Sequence, residues 1–402
     1  MNKTIPLSVP YLSLDILKNL EETIRTGWVS TGGRFIQEFE MKVADYTGVK
    51  RALSCQSGTA GLHLALRALG VGYEDEVIVP TLTFIAAVNP VTYTGAEPVF
   101  MDCDDTLNMD LDKLETFLKE ECRHVKGRVI NKRTNRTVKA VIVVHVFGNP
   151  LDFDRLMAIR NTYNVKIIED ATEALGSFNL SGRYANRHCG TIGDVGVYSF
   201  NANKIITTGG GGMIISHNQQ LLEYAEFLSH QAKADPLYYT HDEIGYNYRM
   251  TNIQAAFGTD QIDRLEGFIE TKIINYKLYE QALQGIEGLT LLPFREDARA
   301  NHWFYSLYIE KEKYGMDARE LLRKLNDHNI QSRPLWGLIH KQKPYVKHQQ
   351  FCIEKANSFE GALINIPCSS SLTAEDIEIV TEVLTPQTKS HFMVPPLLAR
   401  LR

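Results

Sequence analysis

From about Gly58 to His230, helix-length amphipathic stretches alternate with short runs of β-branched residues, an order that builds a mostly parallel sheet covered by helices. The pattern predicts strands at Glu76–Val79, Pro98–Asp102, Ala140–Val144, Val165–Glu169, Val195–Phe200 and Gly212–Ser216. Between them Thr59–Leu69 repeats apolar residues at Leu62, Ala65, Leu66 and Leu69, which is helical spacing. Leu151–Thr162 and Gln219–Ser229 are further expected helices. After about Asp260 the pattern shifts to a long helix, Gln261–Leu283, and then to strand-like and helical pieces through Leu384. A chain of 402 residues also exceeds one ordinary core. The expected organisation is therefore a large domain over residues 1–260 and a smaller C-terminal α/β domain over residues 261–402.

Charge and cysteine usage exclude several function classes. Hydrophobic residues make up 44% and charged residues 23%, and no basic n-region followed by an apolar run occurs in Met1–Asn19. A cytoplasmic protein without a membrane segment is expected. The net charge of -5 leaves no footprint for nucleic acid, so any anionic ligand must be held locally. Cys55, Cys103, Cys122, Cys189, Cys352 and Cys368 form no CxxC pair, which argues against a zinc or disulfide framework, and no metal is expected. One segment departs from the rest: Arg123–Lys139 holds seven Lys or Arg and no acid. It reads as a solvated hairpin or loop, or as a group of cations near a substrate diphosphate.

Ligands in such sheets gather outside the carboxyl ends of the strands, where three features stand out. Ser57-Gly58-Thr59-Ala60 opens the helix at Thr59, and a helix start built of small residues offers free amides and a positive dipole end to a phosphate. The ordinary reading of the same residues is a helix cap. Val165–Glu173 is a buried-strand pattern ending in acids; Asp170 there can pair with a protonated pyridine nitrogen, or merely cap the strand. Tyr198–Lys204 leads through Thr207-Thr208 into Gly209–Gly212, so Lys204 sits in a turn whose backbone leaves its amine room to approach a ring-bound aldehyde. The glycines form neither a Walker loop nor a GxGxxG fingerprint, which disfavours nucleotide-loop readings and a dinucleotide oxidoreductase.

Taken together, SGTAGLHLAL (Ser57–Leu66), VPTLTF (Val79–Phe84), EDATEALGS (Glu169–Ser177), YSFNANKIITTGGGGM (Tyr198–Met213), GYNYRM (Gly245–Met250) and RPLWGLIH (Arg333–His340) resemble the DegT/StrS-type sugar aminotransferases, from about Pro6 to Leu384. The resemblance implies the aspartate-aminotransferase-like fold (fold type I) and a pyridoxal 5'-phosphate (PLP) cofactor. It implies that Lys204 holds the cofactor, Asp170 pairs with the pyridine nitrogen, Thr59, Ala60 and Ser199 bind the phosphate, and Phe84 stacks on the ring. Glu173 falls near the ring's O3′, where many members carry Gln or His, and a carboxylate there needs a shared proton. Asn247 matches a residue that reaches the phosphate from the neighbouring subunit, so a homodimer with shared active sites is expected. Arg249 and His340 are candidate substrate contacts, with structural roles at the domain junction as the alternative.

Within the family, Glu173 and the four glycines resemble the legionaminic-acid and bacillosamine pathway enzymes. That implies transfer of an amino group from L-glutamate to C4 of a UDP-linked 4-keto-6-deoxy-N-acetylhexosamine. The alternatives are a C3-aminotransferase or a GDP- or TDP-sugar 4-aminotransferase. Related sugar dehydratases carry histidine in place of the cofactor-holding lysine, and a non-catalytic sensor would be expected to lose Lys204 or Asp170; both residues are present.

Overall fold

A computed structural model describes residues 3–235 and 237–386. The strands that matter here are β1 (Ala52–Cys55), β2 (Asp75–Pro80), β3 (Glu97–Met101), β4 (Cys122–Val125), β5 (Arg128–Asn131), β6 (Thr137–Val144), β7 (Lys166–Asp170), β8 (Val195–Ser199) and β9 (Gly212–Ile215). They form a ten-stranded sheet in the order β1-β9-β8-β7-β6-β2-β3, closed by Gln350–Phe351, with β4 and β5 attached to β6. Pairing is parallel from β8 through β3 and antiparallel at β9 and β1.

This sheet is buried on both faces, and alternation along each strand divides its side chains between two cores. Val141 and Val143 of β6 pack with Ile167, whereas Ala140 and Ile142 pack on the other side with Ile168. A third core lies around an antiparallel sheet of Leu289–Leu291, Tyr305–Ile309, Leu363–Ile366 and Arg333–Pro334.

The six expected strands and the helices expected at Thr59–Leu69, Leu151–Thr162 and Gln219–Ser229 are present, with ends shifted by up to three residues. Two readings are corrected. The long helix over Gln261–Leu283 is in fact the end of one helix, Asn252–Asp263, and a second, Leu265–Leu283, with Arg264 between them at φ -101°. The first of these is fixed at its start by a capping box, Thr251 with Gln254. The basic segment does form a hairpin, β4–β5, but it joins β6 at Thr137, the amino end of that strand. With about 3.3 Å of rise per residue, the hairpin lies about 23 Å from the carboxyl end of β6. It therefore cannot hold a substrate diphosphate at the carboxyl ends of the strands of its own subunit.

The packing of the loop at Gly190 against β8 depends on one missing side chain. A Cβ at Gly196 would lie 2.0 Å from the Gly190 carbonyl oxygen, a backbone atom that has nowhere to go. Gly196→Ala should destabilise the protein by about 2–4 kcal/mol. Urea unfolding reads this directly, and an unchanged midpoint would contradict the packing described.

Candidate active site

The carboxyl ends of β6 and β7, the start of the helix Gly58–Ala68 and the loop between β8 and β9 surround a cavity of about 370 Å³. The helix reaches it because small residues let backbones come close. A Cβ at Gly212 would sit 2.7 Å from the Ser57 carbonyl carbon, so only glycine lets β9 start against the helix N-terminus. Ser57 caps the helix by accepting from the Ala60 amide at 3.1 Å.

The Lys204 loop is closed on itself. The Phe200 amide donates to the Gly211 carbonyl, and the Thr208 amide to the Phe200 carbonyl, each at 2.9 Å. From outside the loop, the Trp303 indole Nε1–H donates to the Asn203 carbonyl at 2.7 Å. Lys204 Nζ then lies 3.9 Å from the centre of the Trp303 ring and 3.6 Å from Glu173 Oε1. Trp303 is itself positioned by the buried Asn301, whose Oδ1 accepts the Trp303 amide at 3.0 Å while its Nδ2 donates to the Glu173 and Leu175 carbonyls.

Glu173 is buried, and its Oε2 accepts the Phe147 amide at 2.8 Å. That amide is presented by a left-handed turn in which Phe147 has φ 55°. Burial pushes the Glu173 carboxyl up to about 7, against the pull of the Lys204 ammonium and the Phe147 amide. Burial likewise raises Asp170, with its Thr172 bonds and Lys204 opposing, and it lowers Lys204, with Glu173 and Asp170 opposing.

The structure brings Thr59, Phe84, Asp170, Glu173, Ser199 and Lys204 together on the walls of this cavity. Ala60 is one residue deeper, with its amide taken by Ser57, and does not line it. Asn247 is exposed and bridges His230 away from the cavity. Arg249 pairs with Glu226 at 3.2 Å and His340 Nδ1 with the Thr81 hydroxyl at 2.5 Å, both off the walls. The tract containing His340 instead delivers Trp336 to the cavity. Sequence reasoning missed Trp303 and Phe304; the available signal was that Trp303 is one of only three tryptophans and stands just before a strand.

These residues fit PLP: an amine for the aldehyde, a helix start of small residues for the phosphate, and an aromatic face at Phe84. Asp170 adds a buried carboxylate that accepts the Thr172 amide at 3.1 Å.

A carboxyl that titrates near 4.5 when exposed and about 7 in place contributes stability that is full below 4.5 and lost as pH rises through 7. Glu173→Gln removes that loss. The cofactor-free variant should gain about 1–3 kcal/mol on the parent between about pH 5 and pH 8. Melting temperatures across pH test this, and parallel curves for the two proteins would rule it out.

The DegT/DnrJ/EryC1/StrS aminotransferase family model matches residues 10–385. EpsN of Bacillus subtilis (strain 168), provisionally named a pyridoxal phosphate-dependent aminotransferase, is 35% identical over 389 residues, covering 96% of each chain. The GDP-perosamine synthase of Escherichia coli O157:H7 is 35% identical over 382 residues, covering 94% of this chain and 97% of its own. Among solved structures, the aminotransferase TlmJ from Streptoalloteichus hindustanus superposes with a TM-score of 0.84 at 27% identity, over 95% of this chain and 98% of that one. A match of this length, on a shared fold, means that the chain belongs to the DegT/DnrJ/EryC1/StrS aminotransferase family and is a pyridoxal-phosphate-dependent aminotransferase.

Proposed function

We propose that this aminotransferase carries an amino group from L-glutamate to C4 of a nucleotide-linked 4-keto-6-deoxy sugar, with Lys204 holding the cofactor and moving the protons. The observation that carries the reading is the Lys204 amine set 3.6 Å from Glu173 and 3.9 Å from the Trp303 ring, in the cavity that Asp170 also lines. When bound, PLP supplies an electron sink for charge developing on the carbon that gains or loses nitrogen. Asp170 keeps the proton on the pyridine nitrogen. Thr59, Ser199 and the helix start hold the phosphate, and Phe84 covers the ring face. Ala60 contributes as part of the helix's first turn.

Lys204 takes the proton from the amino-bearing carbon and returns it, a task suited to an amine whose pKa burial has lowered. Trp303 presents its ring face, and Glu173 its carboxylate, to the ammonium so formed. Trp303, Phe304 and Trp336 supply apolar walls that exclude water and offer faces for a sugar ring. In this reading the division at residue 260 sets the cavity at a domain junction. His340 works indirectly by anchoring the Trp336 tract to Thr81, and Arg249 by pairing with Glu226.

A homodimer with shared sites belongs to the same proposal, with Asn247 reaching the neighbouring phosphate. Support comes from an apolar N-terminal surface that leaves Leu14 81%, Ile24 72% and Trp28 61% exposed in the single chain. The first candidate acceptor is a UDP-linked N-acetylhexosamine derivative. A GDP-linked acceptor is the second reading, favoured by the 35% identity to a GDP-perosamine synthase.

Asp170→Asn should fold normally yet lose about a thousandfold or more in turnover, because an amide cannot stabilise the ring cation as a carboxylate does. Near-normal turnover would refute the role. For the substrate, a panel of UDP- and GDP-linked 4-keto and 3-keto sugars, supplied with glutamate and read by mass spectrometry, should give amination of 4-keto members only. Amination confined to 3-keto sugars, or turnover of free keto acids alone, would overturn the assignment.

A further inference from the structure

We propose that the groove beside the β4–β5 hairpin is a second anion site, built to take a phosphate-bearing ligand outside the catalytic cavity. The hairpin segment Arg123–Lys139 carries seven cations and no acid, so the rest of the chain bears -12 against -5 for the whole. Among the described residues none of those seven cations makes an ion pair, whereas Arg34, Arg51, Arg67, Arg155, Arg160 and Arg264 each do. A cluster of like charges left uncompensated in an acidic protein costs self-repulsion, which a bound anion removes.

The cluster is also shaped. Arg123, Arg128 and Arg136 line a concavity of about 500 Å³ together with Asn135, Thr137 and Tyr73. Two of the three guanidiniums are set by local bonds, Arg123 to the Asn135 side chain and Arg136 to the Tyr73 carbonyl, and Arg136 also lies 5.4 Å over the Tyr73 ring. The one acid on the wall, Glu74, forms no ion pair among the described residues. Planar guanidinium forks match phosphate oxygens, and the concavity suits a small phosphorylated molecule or a phosphate headgroup rather than an extended polymer. Because Thr137 lines this groove and Val144 lines the catalytic cavity, the two sites lie at opposite ends of β6, about 23 Å apart.

Pyrophosphate titrated into the holoenzyme by calorimetry tests the site. Binding should be saturable and should weaken as salt rises from ~50 to ~200 mM. Arg123→Gln with Arg128→Gln should weaken it about tenfold or more, leaving cofactor absorbance, turnover and oligomeric state unchanged. Lys126→Gln with Lys139→Gln removes the same charge from outside the groove and should weaken binding far less. Equal losses in the two double variants would reduce the site to a diffuse field and overturn the proposal. So would the absence of any binding that the arginine variant loses, or dissociation of the oligomer in that variant. Flotation with phosphatidylglycerol vesicles separates the two sources: retention that free pyrophosphate competes away marks a headgroup, and saturable pyrophosphate binding without retention marks a soluble phosphate.

Discussion

The proposed chemistry depends on keeping one amine, that of Lys204, out of water and 3.6 Å from the Glu173 carboxylate, in the cavity that Asp170 also lines. Burial favours the neutral amine and outweighs Glu173 and Asp170, which favour the ammonium, so the Lys204 pKa is lowered. The Trp303 ring adds a cation-binding face without another titrating group. That lowering suits the proton transfer proposed for Lys204, because an amine held firmly as ammonium could not accept a proton.

The two adjacent acids at the end of β7 have opposite uses, and strand geometry separates them. Successive side chains point to opposite faces, so Asp170 reaches the cavity while Glu169 is buried on the other side. There Glu169 accepts the amides of Gly190, Ile192 and Gly193 and faces His145 Nε2 at 3.1 Å. Since His145 Nδ1 accepts the Leu151 amide, the imidazole carries its proton on Nε2 and donates it to Glu169. Those donors hold the Glu169 carboxyl below its usual range despite complete burial. Glu169 thus fixes the strand end from which Asp170 projects, and the strand could not be rotated to exchange the two acids.

Legibility followed the range of the interactions. Strands buried on both faces are written as Val/Ile runs, so six strands of the sheet and most of the cavity walls were readable, whereas β1 and the edge pairing at Gln350–Phe351 were not. The break at Arg264 was not, because apolar residues continue through it on both sides. Ala60 looked available for phosphate until Ser57 was seen to occupy its amide. Trp303 is 99 residues from Lys204 in the chain. It reaches the cavity through Asn301, which bonds to the chain after β7, and no local pattern encodes that contact.

The charge of the cavity bears on how the site is completed. Among the described residues its lining contains a single cation, Lys204, and two carboxylates, Asp170 and Glu173. Helix amides can hold a cofactor phosphate without basic side chains, but the same walls offer nothing further to the diphosphate of a nucleotide sugar. The cationic hairpin cannot supply the deficit, since it lies at the other end of β6. The single chain presents uncovered apolar residues along its N-terminal segment and an exposed Asn247 beside the stacked Tyr246 and Tyr248, the surfaces that the proposed homodimer uses. The proposed homodimer would meet both demands at once, the substrate's charge through electrostatics and the uncovered apolar surface through the hydrophobic effect.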